Sequence, residues 1–185
     1  AAYTLMTFLT SLIIGLCMGS GALFSKSFGA DELDELREDI RISFVFIGFV
    51  TLVMYIIVFS GVDLILRMLA IPDEIYKMTK SYVQIIFVGI GFTFLYNFFA
   101  YLLRSIGNSV VPLIFLAISS VLNILLDLWF VIVFRWGVSG TAAATVISQA
   151  FAGLGIALYV VSTSSGLLKA KEKMTWSRAG YIIKN

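Results

Sequence analysis

Five long apolar runs, separated by short charged stretches, set the pattern of this chain. They cover residues 1–25, 42–69, 81–103, 105–134 and 137–168. Each is as long as the roughly 20 residues that an α-helix needs to cross a bilayer. The pattern therefore predicts an all-α, polytopic transmembrane helix bundle of about five spans. The first run has neither a basic n-region nor a hydrophilic lead-in, so it does not read as a signal peptide. It starts within apolar sequence and without an initiator methionine, which predicts a fragment of a longer protein.

Polar residues punctuate the runs at helical spacing. The first connection, SKSFGADELDELREDIR, places Leu33, Leu36 and Ile40 on one face and its acidic residues on the others. That predicts a short amphipathic helix on the cytoplasmic surface, continuing into the second span. It would be either a docking or gating element or a solvated link, and charge runs are usually the latter. In AIPDEIYK, Pro72 suits the first turn of a helix, where its missing N–H has no partner to lose. Asp73 and Glu74 suit the positive end of that helix's dipole. Asp63, near the outer end of its span, reads as an interfacial carboxylate.

Inside the spans, polar side chains recur three or four residues apart, which places them on common helix faces. Thr93, Asn97 and Tyr101 form one such stripe, Ser120, Asn123 and Asp127 a second, and Thr141, Thr145 and Gln149 a third. The bilayer core offers no water, so these groups are expected to face the bundle interior or a wet cavity. Gly140, Ala144, Ser148 and Ala152 form a small-residue seam suited to close helix packing.

Composition agrees with lipid as the solvent. The chain of 185 residues is 60% hydrophobic and 13% charged, with a mean hydropathy of +1.01; soluble domains carry about 25% charged residues. A net charge of +2 gives no reason to expect nucleic acid as a partner. With no histidine and a single cysteine, Cys17, the usual zinc sites and His-based triads are excluded. GIGFTF lies inside a span and lacks the rest of a dinucleotide fingerprint. No enzyme activity is expected.

Alternating the connections across the membrane puts nine basic residues on one side, including Lys26, Arg37, Arg41, Arg104 and five in the tail, against Arg67, Lys77, Lys80 and Arg135 on the other. The positive-inside bias predicts a multi-pass protein of the plasma membrane with a cytoplasmic C-terminal tail. Trp129, Phe130, Phe134 and Trp136 would then form an outer aromatic belt. In the tail, Trp176 and Tyr181 are candidate anchors to lipid.

Asp127 is the one charged residue among the thirty between Arg104 and Arg135. An aspartate at the centre of a span costs about 2.5–3.5 kcal/mol on insertion scales. One reading is structural, a hydrogen-bonding group between helices. The other is a proton or cation site, because a proton or a bound ion relieves the bare charge. Asn123, one turn away, adds a carbonyl oxygen of the kind that hard cations such as Na⁺ accept, so Asp127 and Asn123 are the candidate metal ligands.

The stretch YLLRSIGNSVVPLIFLAISSVLNILLDLWFVIVFRWGVSGTAAATVISQ resembles the N-terminal half of the multidrug and toxic compound extrusion (MATE) transporters. The resemblance is carried by Arg104, Gly107, Pro112, Asn123 and Asp127, then Gly137, Gly140, Ala142, Ala143, Thr145 and Gln149. GSGALFSKSFGA is similar to the end of that family's second helix and the link after it. The resemblance implies a secondary active transporter of two six-helix lobes that exports bulky, often cationic compounds in exchange for Na⁺ or H⁺. It further implies that residues 1–165 are a partial N-terminal lobe, family helices two to six, and that residues 166–185 are a cytoplasmic basic tail or inter-lobe linker. The family's first helix and second lobe are then missing partners from the same polypeptide. By the same resemblance Asn123, Asp127 and Thr145 fall at a cation site, with Asn97 close by. Gln149, Tyr101 and Thr141 are expected along the substrate cavity. Small-molecule drugs or toxins and membrane lipids are the expected partners, with no cofactor beyond the coupling ion. The alternatives are a lipid-linked oligosaccharide or peptidoglycan-precursor flippase of the same superfamily, which would need a basic cavity, and a non-transporting membrane assembly protein, which leaves Asp127 unexplained.

Overall fold

The structure is a computed structural model that describes the backbone of residues 2–68 and 71–184 and the side chains of residues 7–64, 66–68 and 71–163. Six helices follow one another: α1 (Ala2–Gly29), α2 (Leu33–Met68), α3 (Asp73–Val88), α4 (Ile90–Ser105), α5 (Val110–Leu128) and α6 (Gly137–Lys184). A π-helical turn, Trp129–Val133, joins the last two. No strand occurs among the described residues.

Five stretches are helical, long and apolar enough to cross a membrane: Thr7–Gly29, Leu33–Leu64, Asp73–Ser105, Val110–Val133 and Gly137–Thr163. The predicted number of spans holds, but two details, the makeup of the third span and the place of Pro72, differ from the expected pattern. The third span starts at Asp73 rather than at residue 81 and consists of two helices, α3 and α4, that meet at Gly89. The amphipathic segment is helical and continues into the second span, as expected. It forms the opening turns of α2, where Leu36 is buried and Leu33 and Ile40 pack against the core. Pro72 stands just before α3, its carbonyl accepting from the Ile75 N–H at 3.1 Å, while Asp73 and Glu74 occupy the first turn as expected.

The core lies where α1, α2 and α4 converge. Phe24, Phe44, Phe94, Phe98 and Phe99 interlock there, mostly edge-to-face or tilted, with ring centroids 5.2–6.0 Å apart. Such geometries match the positive rim of one ring to the negative face of the next. Helix α6 closes the bundle against α3, α4 and α5. Its small-residue seam does what the spacing predicts: Gly140, Ala144, Ser148 and Ala152 are all buried. At Gly153 a Cβ would sit 2.5 Å from the Phe92 carbonyl oxygen, so α4 and α6 touch backbone to backbone.

The link between α4 and α5 is tightly specified. Gly107 adopts φ +87°, the left-handed conformation that ends helices, and the Asn108 N–H returns to the Leu103 carbonyl at 2.8 Å. The Asn108 side chain then accepts from the Val111 N–H at 3.2 Å and so caps the first turn of α5. Helix α5 packs chiefly on α6, and most of its surface is open. The anchoring expected of Trp176 and Tyr181 concerns side chains outside the described residues.

Candidate ion and substrate site

Helices α5 and α6 bring two of the polar stripes face to face. Ser119 Oγ donates to the Ser148 carbonyl at 2.7 Å and ties the pair at one level. One turn further along α5, Asn123 Nδ2 approaches Thr145 Oγ1 at 3.5 Å, the outer limit of a hydrogen bond. Thr145 Oγ1 itself donates to the Thr141 carbonyl at 2.9 Å. Because its amide nitrogen is directed to Thr145, Asn123 keeps its carbonyl oxygen as a free acceptor.

Asp127 lies one further turn along the same face, and its Oδ1 is buried without a hydrogen-bond partner. Buried polar atoms are nearly always paired, so a carboxylate oxygen in this state is open to a donor or a cation. Immediately after Asp127 the helix widens into the π-helical turn, with the Phe134 N–H reaching the Trp129 carbonyl at 3.3 Å. Such bulges occur often at functional sites. Behind it Trp129, Phe134 and Trp136 stack, with centroids 6.4 and 5.3 Å apart, and Phe130 packs on Trp136 at 5.2 Å. The four aromatic residues thus gather as one cluster at the α5–α6 connection.

The remaining candidates occupy different places. Asn97 Nδ2 donates at 2.8 Å to the Thr93 carbonyl of its own helix. Thr141 Oγ1, on a half-buried residue, donates to the Val138 carbonyl at 2.8 Å. Tyr101 packs against Gly21 of α1 and lies under the Arg104 guanidinium, 5.4 Å from its carbon to the ring centroid. It sits two turns beyond Thr93, at the Ser105 end of α4. Gln149 is directed at Gly89, where α3 meets α4, and its Oε1 is also buried without a partner. A cavity of about 40 Å³ opens beside it, lined by Thr10, Ile86, Phe87, Ile90, Thr93 and Gln149. The spacing of the stripes indicates which faces turn inward but not this juxtaposition, which depends on how α3 and α4 meet.

Asp63 proves to be paired, as an interfacial carboxylate should be. Lys80 Nζ donates to its Oδ1 and Oδ2 at 2.6 and 2.7 Å, and Tyr76 Oη to Oδ1 at 2.8 Å, linking α2 to α3 at an exposed position. Among the described residues, no group of three or more His, Cys, Asp or Glu comes together as a metal cluster.

Ser120, expected on the inward face with Asn123 and Asp127, is instead exposed and donates to the Leu116 carbonyl of its own helix, and its neighbour Ser119 faces α6. A bundle of five membrane-length helices is that of a multi-pass membrane protein. Its family follows from sequence: the MatE family model matches residues 1–129, and the chain belongs to that family. It is similar to the probable multidrug resistance protein YpnP of Bacillus subtilis (strain 168), 31% identical over 181 residues, which is 98% of this chain and 41% of the relative. Among solved structures it superposes on the outward-facing conformation of a multidrug resistance MATE family transporter of the MOP superfamily, with a TM-score of 0.81 at 21% identity, covering 86% of this chain and 35% of the other. The inward-facing conformation of such a transporter gives 0.76 at 22% identity, covering 82% and 34%. The chain thus spans about two-fifths of the length of its relative and about a third of the solved transporters.

Proposed function

We propose that this chain is the larger part of the N-terminal lobe of a MATE secondary transporter, which exports bulky, often cationic drugs or toxins in exchange for Na⁺ or H⁺. Asp127 is the coupling carboxylate, Asn123 contributes its carbonyl oxygen, and Thr145 orients Asn123. Asn97 supports the neighbouring face, and Gln149, Tyr101 and Thr141 border the path of the substrate. The observation that carries this reading is the buried, unpartnered Oδ1 of Asp127. A proton would turn that carboxylate into a donor, and a cation would satisfy its charge directly. Either change alters how α5 rests on α6 and so biases the lobe between states, to the extent that the ion prefers one state over the other. Alternating access of the complete transporter would then rock this lobe against its missing partner. That the same lobe fold fits both outward- and inward-facing transporters agrees with rigid-body motion.

The flippase alternative has no support of this kind, since no Lys or Arg is among the residues that line the cavity beside Gln149. The test is efflux of a fluorescent cationic dye from cells expressing the full-length transporter, wild type against Asp127→Asn at equal membrane abundance. Loss of efflux in the variant is expected, and varying Na⁺ against pH then identifies the ion. Unchanged efflux would make Asp127 a structural residue.

A further inference from the structure

The two buried oxygens without partners, Asp127 Oδ1 and Gln149 Oε1, are both acceptors. Polar side chains occupy the turns of α5 and α6 between them. From Asp127 these pass one turn back along α5 to Asn123 and across to Thr145 on α6. Gln149 lies on the same face of α6, one turn or about 6 Å further along its axis. There its amide meets the junction of α3 and α4. A Cβ at Gly89 would lie 2.3 Å from Gln149 Oε1, so the absence of a side chain at Gly89 makes room for the amide. Thr93 Oγ1 donates to the Gly89 carbonyl at 3.2 Å, which leaves its lone pairs available, and Asn97 holds the Thr93 carbonyl from the next turn.

The cavity bounded by Thr10, Thr93 and Gln149 is suited to water. Its volume of about 40 Å³ exceeds what one water requires. Two hydroxyls and one amide supply the three or so hydrogen bonds that a buried water typically makes. The amide oxygen lacks a donor, which is what a water supplies. No carboxylate or basic group lines the cavity, so it suits a passing ion with its water better than a tightly held one.

We propose that this cavity is an internal hydration site through which the coupling ion, as a proton or a partly hydrated cation, passes between Asp127 and the rest of its path, with Gln149 as the group that holds the water. The relay rests on the reading of Asp127 as the ion's site, whereas the hydration does not. Both are tested on the full-length transporter in lipid nanodiscs and cells. Radiolytic hydroxyl-radical labelling modifies buried side chains where bound water generates the radical, and Phe87 and Ile90 are the buried reporters on the cavity wall.

In wild type both reporters are expected to be labelled. Gln149→Leu, which keeps the bulk and removes the amide, should lower that labelling and slow dye efflux, each by about two- to tenfold, the worth of one hydrogen bond between neutral groups. Asp127→Asn should lose efflux and keep the labelling. Unlabelled reporters in wild type mean a dry cavity and overturn the proposal whatever Asp127 does. Labelling lost with efflux at the wild-type rate makes the water purely structural and overturns the relay. Efflux intact in Asp127→Asn removes the relay's premise. Should Gln149→Leu fail to reach the membrane, Thr10→Val keeps the cavity's shape, removes one hydroxyl and is read the same way.

Discussion

Asp127 and Gln149 show how differently two polar residues announce themselves. A charge alone in thirty apolar residues is visible in sequence because its cost in lipid demands an explanation, and the structure buries one of its oxygens unpaired. Gln149 reads only as the third member of a stripe; what makes it distinctive is Gly89, sixty residues earlier, and no local spacing reveals that contact. The glycines make the same point. Gly15 and Gly153 look alike in sequence, yet a Cβ at Gly15 meets nothing within 4 Å, while one at Gly153 meets the Phe92 carbonyl oxygen at 2.5 Å. Gly15→Ala is therefore expected to stabilise by up to about 1 kcal/mol, the helix-propensity gain over glycine. Gly153→Ala should destabilise by about 1–3 kcal/mol, since backbone cannot move aside as a side-chain tip can. Unfolding of the full-length transporter in mixed detergent micelles would show the two shifts with opposite sign.

At the scale of elements, the number of spans is legible because a bilayer imposes one length on every apolar helix. Where the helices break is not. Apolarity runs straight through Gly89, although the chain there divides into α3 and α4 under contacts from α6. It runs equally through Trp129–Val133, where Trp, Phe and β-branched residues give no local sign of a π-helical turn. That turn behaves as one extra residue in the helix and sets the rotation of Asp127 relative to the aromatic cluster behind it. Deleting Ile132, which is exposed within the turn, should convert the turn to regular α-helix and leave membrane abundance close to wild type. Deleting Ile124, inside α5, rotates Asp127 away from Asn123's neighbours by about 100°, one residue's share of a turn of 3.6. Abundance on immunoblots of membrane fractions should fall much further for the second deletion than for the first. Equal losses would show that the turn is as constrained as the helix before it.

For the whole molecule, the question is whether ion occupancy at one carboxylate reaches the fold. Anything that binds the folded state alone stabilises it by mass action, about 2.7 kcal/mol at 100 times its dissociation constant. The α5–α6 contact is where that energy would enter, because Ser119 and Asn123 meet α6 through hydrogen bonds and Asp127 Oδ1 is buried one turn further along without a partner. The thermal midpoint of the purified full-length transporter should accordingly rise with Na⁺ concentration at fixed pH if Na⁺ is the coupling ion. If the ion is H⁺, the midpoint should ignore Na⁺. In Asp127→Asn the Na⁺ increment should vanish, whatever the variant's own midpoint, because an amide does not supply the negative charge. Lys80→Ala provides the control. It removes the exposed partner of Asp63 at the α2–α3 connection, remote in sequence from the α5–α6 pair, and should leave the ion-dependent increment unchanged. An increment that survives in Asp127→Asn but is lost in Lys80→Ala would move the ion's point of action to the connection between α2 and α3.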